Sequence, residues 1–467
     1  MTLSNTSLNK EPIFSLKEVK TTLRLALPMV IAQLVTHSLH ILDSAMIGRI
    51  GVLPLAGASF ASNFVGPFMM FGFGFALAVS VMVAKLIGKG KTSEARTVLT
   101  IGFWVSFLAS VVLALCVIVA SFFADWLQQP ESVLEKGMPY LYWLAFSLIP
   151  LLIFSTLRGY CEASGKPWVP VIILSVTLVV NFFLNGLLIY GWAGFPRLEL
   201  IGAGIATVLS RIVGFILILT YLIRSSSFIS YKDLSSRFRR HSSLLRSYLG
   251  IAFPSGFQIT FNATLFIAAT FLMGWISAVA IVAHSIAIHL TAISFMIPLG
   301  ISFAVSIRVA HAWGEQDEPK IHRIVCSTSG FTFMWMILAM SIILIMRNDI
   351  PFWFIESSDP LAESVLNLTT SLLIIAAFFS IFDGLNIVLL GALRGLQDVR
   401  YPLILIFTCY WIIAFPMALF LGFERSGWGL ALGSQGIWMA FLISMVLSAS
   451  TMWVRYQRVR KQYFNPS

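Results

Sequence analysis

The stretch Met70–Gly88 reads MFGFGFALAVSVMVAKLIG, and 226 positions later Met296–Gly314 reads MIPLGISFAVSIRVAHAWG. Matching positions carry the same methionine, two of the same glycines, and the same Val-Ser and Val-Ala pairs. The same offset places Pro28 on Pro254. An offset that stays constant over about 60 residues indicates an internal repeat that spans half of the chain.

The composition places both copies of the repeat in lipid. Of the 467 residues, 58% are hydrophobic and only 11% are charged, whereas soluble domains carry about 25% charged residues. Twelve apolar segments reach the ~20 residues that a spanning helix needs. They begin near Leu23, Leu55, Val98, Pro139, Trp168, Ile201, Leu249, Ser277, Val325, Ala362, Tyr401 and Gly429. Since runs of this length without two-residue alternation favour helices, we predict an all-α integral membrane protein.

The repeat divides the predicted helices into two pseudo-symmetric lobes of six. We predict a first lobe at 1–224, a cytoplasmic linker at 225–246, which is the longest polar interruption, and a second lobe at 247–467. Because six spans is an even number, both lobes have the same orientation, and their pseudo-twofold axis runs along the membrane normal. The interface between the lobes is then the expected substrate path.

Basic residues predict the orientation of the chain. With a cytoplasmic N-terminus and twelve spans, most lysines and arginines fall on the cytoplasmic side, including those of Arg224–Arg246. The exceptions are Arg49, Lys136, Arg197, Arg347 and Arg425. This asymmetry predicts that both termini are cytoplasmic. It also accounts for the net charge of +11 without a nucleic-acid partner.

Two acidic residues are predicted to lie well inside spans, where an ionisable group costs several kcal/mol unless it is paired or hydrated. Asp43 lies in the outer half of the first span, about 22 Å beyond Pro28. Asp383 lies near the midplane of the tenth span. Each is either a proton or cation site or a structural carboxylate bonded to a neighbouring helix.

Further polar residues share faces with these acids. His40 precedes Asp43 by one turn and Asn386 follows Asp383 by one turn, which puts each on the same helix face as the acid. Asn262 in the seventh span has a depth comparable to that of Asp383, so that the two are candidates for one cavity. For His40 the alternative is a satisfied polar group without a functional role.

The fifth and sixth spans carry a second polar group. Asn181 and Asn185 are four residues apart and stack on one face. Their amides supply oxygens for a cation or hydrogen bonds to a carboxylate, and the alternative is a helix–helix contact. Thr207 in the sixth span is positioned to join them. Arg211, in the same span, either pairs within the bundle or extends to the interface.

Pro28 lies inside the first span, at the position that Pro254 occupies in the second lobe. Proline removes a backbone hydrogen bond and bends a helix. Pro28 is therefore a candidate conformational hinge for alternating access. Simple packing tolerance is the alternative.

Short motifs along the twelve spans resemble the multidrug and toxic compound extrusion (MATE) transporters, and most of all their bacterial NorM branch. The resemblance runs from about residue 25 to about residue 455. Its motifs are Leu27-Pro28 with Leu42-Asp43-Ser44 and Gly48, Gly165-Lys166-Pro167 before Asn181 and Asn185, Gly202–Thr207, Ala283-His284, Val305–Val309 with Gly314-Glu315, and Asp383 with Gly391–Gly395.

This resemblance implies a V-shaped bundle and export of cationic, lipophilic compounds by antiport against H⁺ or Na⁺ through alternating access. It implies a multi-pass monomer in a bacterial inner membrane with no cofactor other than the coupling ion. The first-lobe site of the family falls on Asp43, Asn181, Asn185 and Thr207.

The second lobe departs from the NorM pattern, which has a Glu, an Asp and a Tyr. Asp383 matches the Asp, but Asn262 stands at the Glu position and Phe379 at the Tyr position. With one formal charge instead of two, this lobe holds Na⁺ more weakly. We therefore expect Asp43 to be the coupling residue, with H⁺ preferred and Na⁺ at Asp43 or Asp383 as the alternative. Asp383 is then expected to neutralise the cationic substrate or to hold a second cation.

Other functions fit the sequence less well. A lipid-linked precursor flippase of the same broad superfamily is the main alternative, but it needs a cationic cavity, and Arg211 is the one deeply placed basic residue. An enzyme is not expected, because the chain has no HExxH or GxSxG motif and its four cysteines show no metal-ligand spacing. A channel has no need of matched lobes with single buried acids.

Overall fold

The computed structural model describes residues 14–127, 129–225, 242–353, 361–424 and 429–464. These residues contain twelve helices that are long and apolar enough to cross a membrane, and no β-strand. The first six are α1 (Leu16–Gly48), α2 (Val52–Gly88), α3 (Thr92–Ser121), α4 (Glu131–Ala163), α5 (Trp168–Tyr190) and α6 (Glu199–Arg224). The last six are α7 (Ser242–Ile276), α8 (Ala278–Glu315), α9 (Glu318–Met346), α10 (Ala362–Gly395), α11 (Arg400–Gly422) and α12 (Gly433–Phe464). The predicted all-α fold is confirmed.

Local sequence signals set several of the helix ends. The Ser277 side chain caps α8 by accepting from the amide of Ala280 at 3.1 Å, and the Asp317 carboxylate caps α9 in the same way. Gly191 ends α5 with φ 79°, a left-handed conformation that strains residues with a Cβ. Most of the predicted linker at 225–246 lies outside the described residues, and its last residues, from Ser242, already belong to α7.

The helices pack as two equivalent sets. In the first lobe α2 packs along α4 and α4 along α6, and in the second α8 packs along α10 and α10 along α12. Between the lobes, α2 contacts α7 and α8 contacts α1. Exchanging the lobes converts each of these pairs into the other. The predicted pseudo-symmetry of two six-helix lobes is therefore confirmed.

The repeated stretches form the centre of the molecule. Within them, Val79, Val83, Val305 and Val309 are fully buried. The helices α2 and α8 contact one another, and each also packs against helices of both lobes. Because these two helices are surrounded by protein on most sides, their sequences are small and apolar around the whole circumference.

The lobes meet where glycine leaves no room for a side chain. Gly74 in α2 faces the α7 backbone at Gly256, and Gly300 in α8 faces α1 at Val30. The repeat offset relates these two contacts. A second related pair joins Gly88 to His311 and Gly314 to Lys85. We call Gly74, Gly88, Gly256, Gly300 and Gly314 the glycine seam.

Polar contacts close the lobes at the face where the chain enters α1, here called the N-terminal face. Arg308 on α8 pairs with Glu18 on α1 and donates to Thr22. Lys85 on α2 lies 3.3 Å from the centre of the Trp313 ring and donates to Gln397 at 2.9 Å. The N-terminal face is thus held by an ion pair, hydrogen bonds and a cation–π contact.

The opposite face lacks such contacts. Among the described residues, no hydrogen bond or ion pair joins the lobes through α1 beyond Pro28 or through α2 before Pro67. The polar contacts between the lobes that the structure describes are therefore concentrated towards the N-terminal face.

Candidate functional site

A cavity of about 280 Å³ lies in the first lobe, between α1, α2, α4 and α6 and near the opposite face. More than half of its lining residues are polar, and they include ionisable side chains, which are rare within membrane spans. The polar lining residues are His40, Asp43, Ser44, Ser59, Ser62, Asn63, Tyr140, Thr207 and Arg211.

Asp43 is held in the cavity wall by the fifth helix. Asn185 Nδ2 donates to Asp43 Oδ1 at 2.6 Å and also contacts Asn181 Oδ1 at 3.0 Å. Asp43 is 8% exposed, and both asparagines are fully buried. The spacing of four residues stacks the two amides on one face of α5, so that they point together at α1.

The sixth helix continues this group. Asn181 Nδ2 donates to Ser210 Oγ at 3.4 Å, and the Thr207 hydroxyl lies in the cavity lining while it donates to its own helix backbone. Asn185 Oδ1 has no hydrogen-bond partner among the described residues. The Asp43 carboxylate and the Thr207 hydroxyl thus line the cavity, and the two α5 amides lie behind Asp43.

Two further groups predicted from the sequence lie in the same cavity. His40 precedes Asp43 by one turn of α1 and lines the opening. The Arg211 guanidinium donates through Nη1 to Ser147 Oγ at 2.5 Å. Asp43 and Arg211, both described by the structure, are not within ion-pair distance of one another.

Sequence reasoning missed some members of this cavity. Tyr140 on α4 and Ser62 on α2 line it. Outside the lining, Tyr190 at the end of α5 donates to the Met46 carbonyl of α1 at 2.7 Å. Their spacing in the chain carries no periodic signal, because each comes from a different helix. Only the packing of four helices brings them together.

The second-lobe acid, Asp383, is 9% exposed on α10 and forms no hydrogen bond or ion pair with another described residue. Phe379, one turn earlier, packs between Phe266 of α7 and Trp438 of α12, with ring centres 6.2 and 5.7 Å away. Asn262 lies one turn before Phe266 on α7. The contacts of Arg394 with Gln258 and of Phe379 with Phe266 align the antiparallel helices α7 and α10 on either side of Asn262 and Asp383. The two residues therefore lie at a similar depth, although no hydrogen bond between them is described.

Asn386 belongs to a buried network that the sequence did not reveal. Its amide donates to Tyr410 Oη at 3.2 Å and its carbonyl accepts from Ser448 Oγ at 3.0 Å. Tyr410 lies in a π-helical turn of α11, Thr408–Ala414. Such turns carry an extra residue and re-aim side chains, often at functional sites. Here the turn contributes the hydroxyl that Asn386 contacts, one turn after Asp383 on α10.

Pro28 lies within α1, which continues as a helix on both sides of it. It is buried beside Val30, where Gly300 of the other lobe approaches. Since proline cannot donate a hydrogen bond to the preceding turn, α1 is weakest where the lobes meet. The half of α1 that carries Asp43 lies beyond this point.

The first-lobe group can exchange one positive charge. A buried carboxylate next to amide and hydroxyl groups can bind a proton or a small cation, and the cavity gives water access to it. The described residues that line this cavity contain no nucleophile paired with a general base.

Comparison with known proteins finds a family model that matches the chain twice, once in each half. A model of the MatE family matches residues 28–187 and 254–420, so that its two matches begin at the two prolines of the repeat. The chain is 33% identical over 448 residues to a probable multidrug resistance protein NorM of Bradyrhizobium diazoefficiens, covering 95% of this chain and 94% of the relative. It is 33% identical over 442 residues to the protein of the same name from Agrobacterium fabrum, covering 94% and 93%.

The same architecture occurs in a solved structure. The crystal structure of the Vibrio cholerae MATE transporter VcmN in the bent form superposes on this chain with a TM-score of 0.82. The match covers 96% of this chain and 99% of that one, at 19% identity. At this identity the likeness shows the fold alone.

Proposed function

This chain belongs to the MATE family of membrane transporters, and from that premise we propose that it is a secondary active multidrug exporter. The proposed substrates are small cationic or amphipathic molecules, which leave by antiport against H⁺ or Na⁺, with H⁺ preferred. The relatives named as multidrug resistance proteins support this proposal. We further propose that the chain works as a monomer in a bacterial inner membrane with both termini in the cytoplasm.

One observation carries the proposal: Asp43 is a buried carboxylate in a water-accessible cavity, bonded to Asn185. A proton on Asp43 removes the charge that attracts a cationic substrate. Substrate and proton therefore compete for one carboxylate, which is the thermodynamic requirement of antiport. Asp383, without a bonded partner among the described residues, then serves to neutralise the substrate in the second lobe.

The arrangement of the two lobes supports the proposal of alternating access. With a cytoplasmic N-terminus, the closed N-terminal face is the inner side and the first-lobe cavity opens outward. We propose that protonation of Asp43 from outside bends α1 at Pro28, closes the cavity and expels the substrate. The proton is then released inside when the Glu18–Arg308 contact opens.

A lipid-linked precursor flippase remains the second candidate, because Arg211 adds a cation to the cavity. A phosphate-bearing substrate is bound by clusters of arginine and lysine. The cavity supplies one such residue together with the carboxylate of Asp43, which repels phosphate. This balance favours the exporter.

The test is efflux of ethidium from proteoliposomes under an imposed pH gradient or, separately, a Na⁺ gradient. Wild type, Asp43→Asn and Asp383→Asn are compared with Asp349→Asn, which removes an exposed acid at the end of α9. We expect pH-driven efflux that is abolished in Asp43→Asn, reduced in Asp383→Asn and unchanged in Asp349→Asn.

Two results would contradict parts of this proposal. Efflux that requires Na⁺ and is lost mainly in Asp383→Asn would transfer coupling to the second lobe. Failure to move any cation under either gradient would shift the assignment to the flippase.

A further inference from the structure

The first-lobe cavity contains a fixed positive charge that its coupling role does not require. Arg211 lies in the middle of α6, one turn after Thr207, and its guanidinium is directed into the same cavity as Asp43. It forms no ion pair with a carboxylate among the described residues, and its hydrogen bond goes to the neutral hydroxyl of Ser147 at 2.5 Å.

The other charged and titratable groups around Asp43 do not offset Arg211. From its own helix His40 faces the cavity, α4 contributes Tyr140, and α6 contributes only Arg211. The α2 lining is neutral, and α5 presents two amides. Among the described residues that line the cavity, Asp43 is thus the one acidic side chain.

The oxygen atoms around Asp43 would otherwise suit a hard metal cation. The Asp43 carboxylate and the hydroxyls of Ser44 and Thr207, which line the same cavity, are the kinds of ligand that hard cations take. What opposes a metal cation here is charge: a guanidinium in the same partly buried cavity repels it. A proton meets the same repulsion, but it forms a covalent O–H bond with the carboxylate, whereas Na⁺ is held by electrostatic contacts alone.

We propose that Arg211 determines the coupling ion, as an internal counter-cation that keeps Na⁺ out of the Asp43 site and admits H⁺. On loading, a proton from cavity water bonds to an Asp43 oxygen, and on release the electron pair stays on the carboxylate while water takes the proton. Arg211 remains charged in both states and balances the carboxylate when it is empty. The inference rests on the proposed antiport and names the residue that selects its ion.

The experiment compares Na⁺ with H⁺ in purified, reconstituted full-length protein. Binding of ²²Na⁺ and Na⁺-driven ethidium efflux are measured for wild type, Arg211→Gln, Arg211→Lys and the double variant Arg211→Gln/Asp43→Asn. Arg211→Met, which keeps the length of the side chain, replaces the Gln variant if that variant does not fold. Arg197→Gln removes an exposed arginine in the loop before α6 and is the matched control.

We expect Arg211→Gln to bind Na⁺ roughly tenfold or more tightly than wild type and to gain Na⁺-driven efflux, because one repelling charge has left the site. Arg211→Lys and Arg197→Gln should resemble wild type. The double variant should lose the gained Na⁺ binding. A gain of ion response is a readout that loss of structure cannot produce.

The inference is overturned if Arg211→Gln, or Arg211→Met, shows no gain in Na⁺ binding, or if the gain survives in the double variant. In that case pH-driven efflux by wild type still supports the proposed antiport. If wild type itself is driven by Na⁺, both the preference for H⁺ and the role of Arg211 are wrong.

Discussion

Arg158 and Arg394 occupy matching places in the repeated Leu-Arg-Gly sequence, but they form hydrogen bonds with different residues. Arg158 Nε donates to Glu162 on its own helix at 2.6 Å. The corresponding acid in the second lobe, Asp398, accepts from Arg455 of α12 at 2.6 Å instead. Arg394 is 2% exposed and donates to Gln258 of α7 at 3.3 Å, while its Nε has no partner among the described residues.

This difference predicts opposite effects of neutralising the two arginines. Arg158→Gln leaves the buried Glu162 without its cation, which should cost about 2–3 kcal/mol in the free energy of unfolding and lower the apparent Tm. Arg394→Met removes a poorly paired buried charge, so that stability should change little or rise. Thermal unfolding in detergent checks both variants, and equal losses would show that Arg394 is better paired than its contacts indicate.

At this scale the sequence predicted which acids are buried but not all of their partners. Asp43 and Asn185 could be paired because helix spacing and the family resemblance both pointed to them. The sequence could not predict that Arg394 contacts Gln258 and not Asp398, because Asp398 is paired with Arg455 of α12. Arg211 was predicted inside its helix, but its bond to Ser147 depends on the angle between α4 and α6.

Among the helices, α2 and α8 are distinguished by glycines that bring backbones into contact. A Cβ at Gly256 would collide with the backbone oxygen and ring of Phe71 on α2. Gly250 lies six residues before Gly256 on α7, and a Cβ there would meet nothing within 4 Å. The two positions therefore separate the effect of the lobe contact from that of helix propensity.

We expect Gly256→Ala to destabilise the protein by about 1–3 kcal/mol, as overpacking does, and to slow efflux because α2 and α7 can no longer approach. Gly250→Ala should be neutral or slightly stabilising, since alanine favours a helix over glycine. Apparent Tm and initial ethidium efflux rates are the measurements. A normal Tm and efflux rate for Gly256→Ala would mean that α2 and α7 can move apart at the glycine seam at little cost in stability.

The sequence predicted all twelve helices and their pairing into lobes, because span length and the repeat are properties of the chain itself. It did not predict the π-helical turn at Thr408–Ala414. The residues of that turn are mostly apolar, like those of the α-helical turns around it, so their composition gives no sign of the wider turn. Only the structure shows that it directs Tyr410 towards Asn386.

The described polar contacts between the lobes are asymmetric along the helices, since they are concentrated towards the N-terminal face and away from the first-lobe cavity. Ser62 and Ser80 lie on the same helix, α2, on either side of this division. Ser62 is exposed in the first-lobe cavity. Ser80 is 6% exposed and lies in the closed half.

This arrangement predicts different accessibility for cysteines at the two positions. In a background without the four native cysteines, Ser62→Cys should react with a membrane-impermeant maleimide added outside right-side-out vesicles. Ser80→Cys should be protected until the transporter cycles. Labelling of Ser62→Cys only from the inner side would reverse the proposed orientation of the chain.

The glycine seam also bears on how such an exporter can escape an inhibitor. A compound that blocks the cavity meets serine, threonine and asparagine side chains, which can be exchanged one at a time while the lobes still close. A compound wedged between α2 and α7 meets backbone at Gly74 and Gly256, where any added side chain would collide with the opposing helix. Resistance by substitution is therefore expected to arise readily against cavity blockers and rarely against a wedge at the seam.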